Sequence, residues 1–315
     1  MELSTTRGQS TAPSNRLVLT MRRHPLVSYF LLAFGFTWGW QLPEFALAHQ
    51  QLGGPWLLLG ILGPTLAGFV MAGITEGRAG MVHLLRRVVL WRVAMRWYLV
   101  VLLILPAVWF GSVFFSPGGI AAFRVPSPSL LVAWLSGFAF AFFAATCVEE
   151  LGWRGFALPR LQGRYGPLLG TLLLGSLWAL WHLPVWAFFP SLTGAGTSFL
   201  SFTFAITYLG FVGYSVAFAV LITWVFNHSR SSILLAVLFH ASANATGGSF
   251  LALFPSLFPH PVIPAAFEIG VSVVAVLIVV ATRGRLGYDC YQRETALPAP
   301  VTDQVQEQGE VRTSV

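Results

Sequence analysis

Two adjacent carboxylates, Glu149 and Glu150, follow about twenty almost wholly apolar residues, and Arg154 stands four positions after the second. A carboxylate in a partly dry site can take a proton from water, and a guanidinium beside a second carboxylate keeps that one charged. Residues four apart share a helix face, so Glu150 can pair with Arg154, whereas Glu149 is turned about 100° away, toward the interior of a helix bundle. Two more polar pairs have the same spacing. Trp178 and His182 lie in Ser176-Leu177-Trp178-Ala179-Leu180-Trp181-His182-Leu183-Pro184, and His240 and Asn244 in Phe239-His240-Ala241-Ser242-Ala243-Asn244. Imidazole can orient water or move a proton, and N–H donors in a dry site can hold an oxyanion. Each pair also has a plainer reading. The glutamates could be solvated at a helix end, His182 could be a hydrogen-bonded packing residue, and His240 and Asn244 could bond across helices beside their small neighbours.

The elements that must position these groups are membrane helices. Hydrophobic residues make up 56% of the 315, charged residues 9%, and the mean hydropathy is +0.73. Apolar runs of spanning length occupy about 26–48, 55–74, 97–115, 129–148, 167–189, 199–226, 233–254 and 262–282. The expectation is an all-α polytopic membrane protein with about eight transmembrane helices and both termini cytoplasmic. Residues 1–24 are expected to form a disordered polar leader, 25–283 the helical membrane domain, and 284–315 a polar cytoplasmic tail. The first run ends near Ala46-Leu47-Ala48, a candidate signal-cleavage site. It is longer than a signal core and contains Trp38, Trp40 and Glu44, so an uncleaved span is expected. Residues 76–96, with Arg78, His83, Arg86, Arg87, Arg92 and Arg96 among Leu84, Leu85, Val88 and Val89, suit either a helix on an anionic membrane surface or a plain basic loop.

All eighteen basic residues are arginine. With the termini inside, the leader holds Arg7, Arg16, Arg22 and Arg23, and five more lie in the second-to-third loop. Arg154, Arg160 and Arg164 follow the fourth run, Arg230 lies between the sixth and seventh, and Arg283, Arg285, Arg293 and Arg312 end the chain. Only Arg124 falls outside, as the positive-inside rule asks. Arginines scattered between apolar runs exclude a nucleic-acid partner, and the bilayer is the expected one. Cys147 and Cys290 form neither a disulfide framework nor a metal pair.

Taken in order, Glu-Glu-x-x-x-Arg, aromatic-x-x-x-His and His-x-x-x-Asn resemble the three motifs of the type II CAAX prenyl protease and bacteriocin-processing (abortive-infection) family of intramembrane endopeptidases. The likeness covers about residues 130–250, including Thr223-Trp224-Val225-Phe226-Asn227; the second motif usually begins with Phe, here Trp178. The resemblance implies peptide-bond hydrolysis near the cytoplasmic face of a multi-pass protein of the cell membrane. It implies Glu149 as general base, His182 holding the attacking water, His240 and Asn244 donating to the oxyanion, and Glu150 and Arg154 supporting the site. Zinc held by Glu149, His182 and His240 is the open alternative, since these ligands would leave a position for water. No helix carries His-Glu-x-x-His, which favours the metal-free form. The implied substrate is a peptide or protein, lipidated in the eukaryotic relatives. Two other readings stay open: a non-catalytic immunity or scaffold protein, and a proton-coupled transporter, against which the lack of a detectable repeat counts. Glu44 and Glu268 have no assigned role.

Overall fold

The computed structural model describes residues 14–47, 59–114, 127–188, 201–253 and 262–295, and every regular element among them is a helix. In chain order these are α1 (Ser14–Arg23), α2 (Pro25–Leu47), α3 (Gly63–Val88), α4 (Met95–Phe114) and α5 (Pro128–Ala141). A π-helical stretch Phe142–Thr146, the short α6 (Cys147–Glu150), a second π-helical stretch Leu151–Ala157 and α7 (Leu158–Tyr165) continue from α5 without a break. Then come α8 (Pro167–Trp181), α9 (Leu183–Phe188), α10 (Phe202–His228), α11 (Ile233–Leu253), α12 (Val262–Ala281) and α13 (Tyr288–Thr295).

Each of the eight apolar runs overlaps helix among the described residues, because in lipid a backbone must satisfy its own polar groups. Five helical stretches among the described residues are long and apolar enough to cross a membrane: Leu59–Val88, Met95–Phe114, Leu131–Tyr165, Pro167–Phe188 and Phe202–His228. The chain is an all-α, multi-pass membrane protein. Large apolar side chains such as Leu31, Phe143, Phe202 and Val280 project outward from the bundle, as a lipid-facing surface requires.

Three boundaries differ from the sequence reading. The fourth run was expected to end at Val148; instead the helix runs on to Tyr165, and the glutamates sit inside it, buried rather than solvated at its end. The basic stretch after the second run is helical to Val88 and not a loop, with a bend at Gly77, whose φ of 67° suits glycine. Helices α1 and α13 fall in segments read as polar leader and tail; residues 1–13 and 296–315 lie outside the described residues, as does Arg124.

The bundle is built to bring α5–α7 inside. Helix α3 packs on α2 and on the second π-helical stretch, α11 packs on α5 and α4, and α8 and α12 flank α10. Asn227 on α10 exchanges hydrogen bonds with Gln162 on α7 and donates to the carbonyl of Leu286, tying three segments through buried amides. At Gly152 the backbones of α3 and the π-helical stretch meet, and a side chain there would run into the Pro64 carbonyl and the Tyr29 hydroxyl. Gly152→Ala is therefore expected to destabilise the protein by about 1–3 kcal/mol through overpacking. Gly35→Ala, at a site with open space, is expected to leave the melting temperature in detergent unchanged.

Candidate active site

The two glutamates sit on α6, a single α-helical turn between two π-helical ones. The amide of Cys147 bonds the carbonyl of Phe142, and that of Leu158 the carbonyl of Trp153, each five residues back. Wide turns of this kind loosen the regular ladder and commonly mark functional sites. Carbonyls here are met by side chains from elsewhere. Thr65 of α3 donates to Val148, and Arg87 donates from Nη2 to Arg154 at 3.3 Å and from Nη1 to Gly155 at 3.1 Å.

Glu150 has no exposed surface. Its Oε1 accepts from Arg154 Nη1 at 2.7 Å and lies 2.9 Å from Nδ1 of His240. The first bond is the i,i+4 pair that the spacing predicts; the second joins the first motif to the third. A carboxylate only accepts, so Nδ1 of His240 carries the hydrogen and Nε2 faces away from Glu150. Glu150 Oε2 and Arg154 Nε and Nη2 have no partner among the described residues, so the pair keeps polar capacity for a ligand.

Glu149, 5% exposed, has a different environment. Its Oε2 accepts a hydrogen bond at 3.0 Å from the indole Nε1 of Trp178 on α8. The Trp178 ring stands edge-on to His182 at 5.3 Å and to His240 at 5.2 Å, and the Arg154 guanidinium lies 5.5 Å from it. One indole thus touches all three motifs. His182, just past the end of α8, directs Nδ1 at the Trp178 carbonyl, 2.9 Å away, so the neutral ring holds Nε2 as an acceptor. Phe211 of α10 packs against its ring at 5.4 Å.

Asn244 follows His240 by one turn, but its side chain is exposed and takes no part in this network among the described residues. Glu268, half-buried on α12, faces Gly210 of α10, away from the three motifs; the side chain of Glu44 lies outside the described residues. The roles of two contributors are not read by sequence reasoning. The Trp178 indole counts there as a packing aromatic, although a buried N–H needs an acceptor and Glu149 is a ready one. Arg87 counts as a surface charge, yet it is buried and shares a helix face with Leu84, three positions before it.

A zinc ion shared by Glu149, His182 and His240 does not fit this arrangement. Among the described residues no three His, Cys, Asp or Glu side chains are placed to hold one ion.

Residues 128–246, which hold this whole network, match the family model described as Type II CAAX prenyl endopeptidase Rce1-like. Over these residues the chain resembles the CAAX protease family. The chain is also similar to CAAX prenyl protease 2 of Methanococcus maripaludis, 32% identical over 149 residues, which is 46% of this chain and 53% of that protein. It therefore spans about half the length of the curated relative it matches.

Trp178→Phe keeps the family's usual ring and removes the donor. It is expected to destabilise the folded protein by about 1–3 kcal/mol, the cost of a buried acceptor left unpaired. Arg154→Met, which leaves Glu150 without its guanidinium, is expected to cost more, about 3–5 kcal/mol. Unfolding of both variants in the same detergent measures the order.

Proposed function

We propose that the chain is an intramembrane endopeptidase that hydrolyses a peptide bond near the arginine-rich, cytoplasmic face of the membrane, with Glu149 as the base that activates water. The observation that carries this reading is the gathering of Glu149, Glu150, Arg154, His182 and His240 around the Trp178 indole, inside a bundle whose outer surface is apolar. With Oε2 of Glu149 engaged by Trp178, Oε1 is the oxygen left to face a water, and Nε2 of His182 is an acceptor for that water's second hydrogen. As Oε1 removes a proton, the water oxygen bonds the scissile carbonyl carbon and the carbonyl oxygen becomes an oxyanion. Collapse of that intermediate breaks the C–N bond, and the proton held by Glu149 goes to the leaving amine.

His240 is read as an oxyanion donor through Nε2. Because Nδ1 already donates to Glu150, Nε2 donates when the ring is an imidazolium. Asn244 would join it by turning its exposed side chain toward the bound substrate. Such donors in a dry site are worth roughly 3–4 kcal/mol each.

The proposed substrate is a peptide or protein segment presented at the membrane, with a prenylated C-terminus as the first to test, following the name of the Methanococcus protein. The full chain in nanodiscs is expected to cleave a farnesylated CaaX peptide, and Glu149→Ala and His182→Ala are each expected to abolish cleavage while the protein still inserts. Full activity in Glu149→Ala would sink the mechanism. Elemental analysis of the same preparation provides a separate check: cleavage is expected without stoichiometric zinc, and zinc lost together with activity would overturn the metal-free reading.

A further inference from the structure

Outside the motif cluster, a cavity of about 340 Å³ opens beside the bend of α3. Glu76 and His83 of α3 stand exposed among its lining residues, Arg87 and Phe156 are buried there, and Arg160 of α7 and Tyr291 of α13 complete the wall. Two guanidiniums face one carboxylate, so the cavity carries net positive charge.

Both arginines are held in place. Arg87 donates to the carbonyls of Ser231 at 3.0 Å, Gly155 and Arg154, and lies over the Phe226 ring at 5.0 Å. Arg160 donates to the Phe156 carbonyl at 3.0 Å, lies 3.7 Å from the Phe156 ring centre and pairs with Glu76. A guanidinium has five N–H groups, so three bonds leave Arg87 with N–H groups to offer an incoming anion.

The exposed residues around the end of α3, next in sequence to the lining residues Leu84 and Arg87, indicate where that anion comes from. Leu85, Val89 and Trp91 are 52%, 68% and 62% exposed, and they alternate with the exposed Arg86 and Arg92. Exposed apolar side chains interleaved with arginines, with a tryptophan among them, suit the headgroup layer and not bulk water. Basic pockets between membrane helices at that depth bind acidic headgroups.

We propose that this cavity is a binding site for an anionic phospholipid, whose phosphate is held by Arg87 and Arg160. The lipid phosphate displaces Glu76 from Arg160 as it enters. Because Arg87 also bonds the carbonyls of Arg154 and Gly155, an occupied site braces the π-helical stretch that follows the two glutamates. The inference concerns binding alone and stands apart from the proteolytic reading.

Native mass spectrometry of the delipidated full chain, titrated with phosphatidylglycerol or phosphatidylcholine, tests it. One tight phosphatidylglycerol adduct is expected, with phosphatidylcholine much weaker. Arg160→Gln is expected to weaken that adduct by roughly fivefold, and Glu76→Gln to tighten it by a similar factor. Arg86→Gln, exposed on α3 but outside the lining, is expected to leave it unchanged. The gain in Glu76→Gln matters because a misfolded variant would not bind better. Equal binding of the two lipids, or affinities unmoved in both Arg160→Gln and Glu76→Gln, would overturn the proposal. Displacement of the lipid by millimolar inorganic phosphate would also overturn it, by making this a site for a soluble anion.

Discussion

Glu150 is a carboxylate with no exposed surface in a bundle whose outside faces lipid, and its partners among the described residues are Arg154 and His240. Arg154 and His240 both reach the same oxygen. That constraint shapes much of what surrounds it. Lone ions in such a place would cost several kcal/mol each, so the pair must be kept together and away from lipid. Burial on that scale requires the helix carrying Glu150 to have neighbours on every side. Gly152 allows the backbone of α3 to approach on one side, and α11 delivers His240 on another.

The π-helical stretches follow from the same demand. A regular helix from Pro128 to Tyr165 would bond most of its own backbone, although Pro159 has no N–H to give the Gly155 carbonyl. Here the Val148, Arg154 and Gly155 carbonyls receive donors from Thr65 and Arg87. A membrane interior offers no water to do this, so the irregular backbone depends on partners supplied by packing. Arg87 links that backbone to the turn between α10 and α11, where Arg230 and Ser231 both have positive φ and Ser231 accepts from Arg87 Nε. Strain in that turn and looseness in the π-helical stretch are thus held by one buried guanidinium.

How much of this could be read from the chain depended on whether the signal was local. The Glu150–Arg154 pair follows from spacing on one helix, and the structure contains it at 2.7 Å. The apolar runs were legible because hydropathy over a spanning length is a strong, local signal. The bond from Trp178 to Glu149 crosses 29 positions of chain and two helices. Spacing within α8 relates Trp178 only to His182, so the indole N–H had no visible partner. The π-helical turns left no mark either, since Phe142–Thr146 and Leu151–Ala157 have the residue types of ordinary membrane helix. Arg87 was hidden differently: it stands in a run of arginines, and only its position three after the buried Leu84 separates it from the exposed Arg86.

The two neighbouring glutamates end in unlike environments, and the difference bears on which can do chemistry. Glu150 Oε1 is bound by a guanidinium and an imidazole; protonating that carboxylate would give up both. Glu149 has a single neutral donor, the Trp178 indole, on one oxygen. A group that must accept a proton and return it within one turnover is better served by the second environment, because little bonding is lost when its charge is neutralised. The histidines divide in the same way. His182 bonds a backbone carbonyl, which leaves its neutral ring an accepting nitrogen, whereas His240 donates from Nδ1 to a carboxylate. An accepting nitrogen beside the freer glutamate, and an imidazole held by the fixed one, are the asymmetry on which the proposed water attack draws.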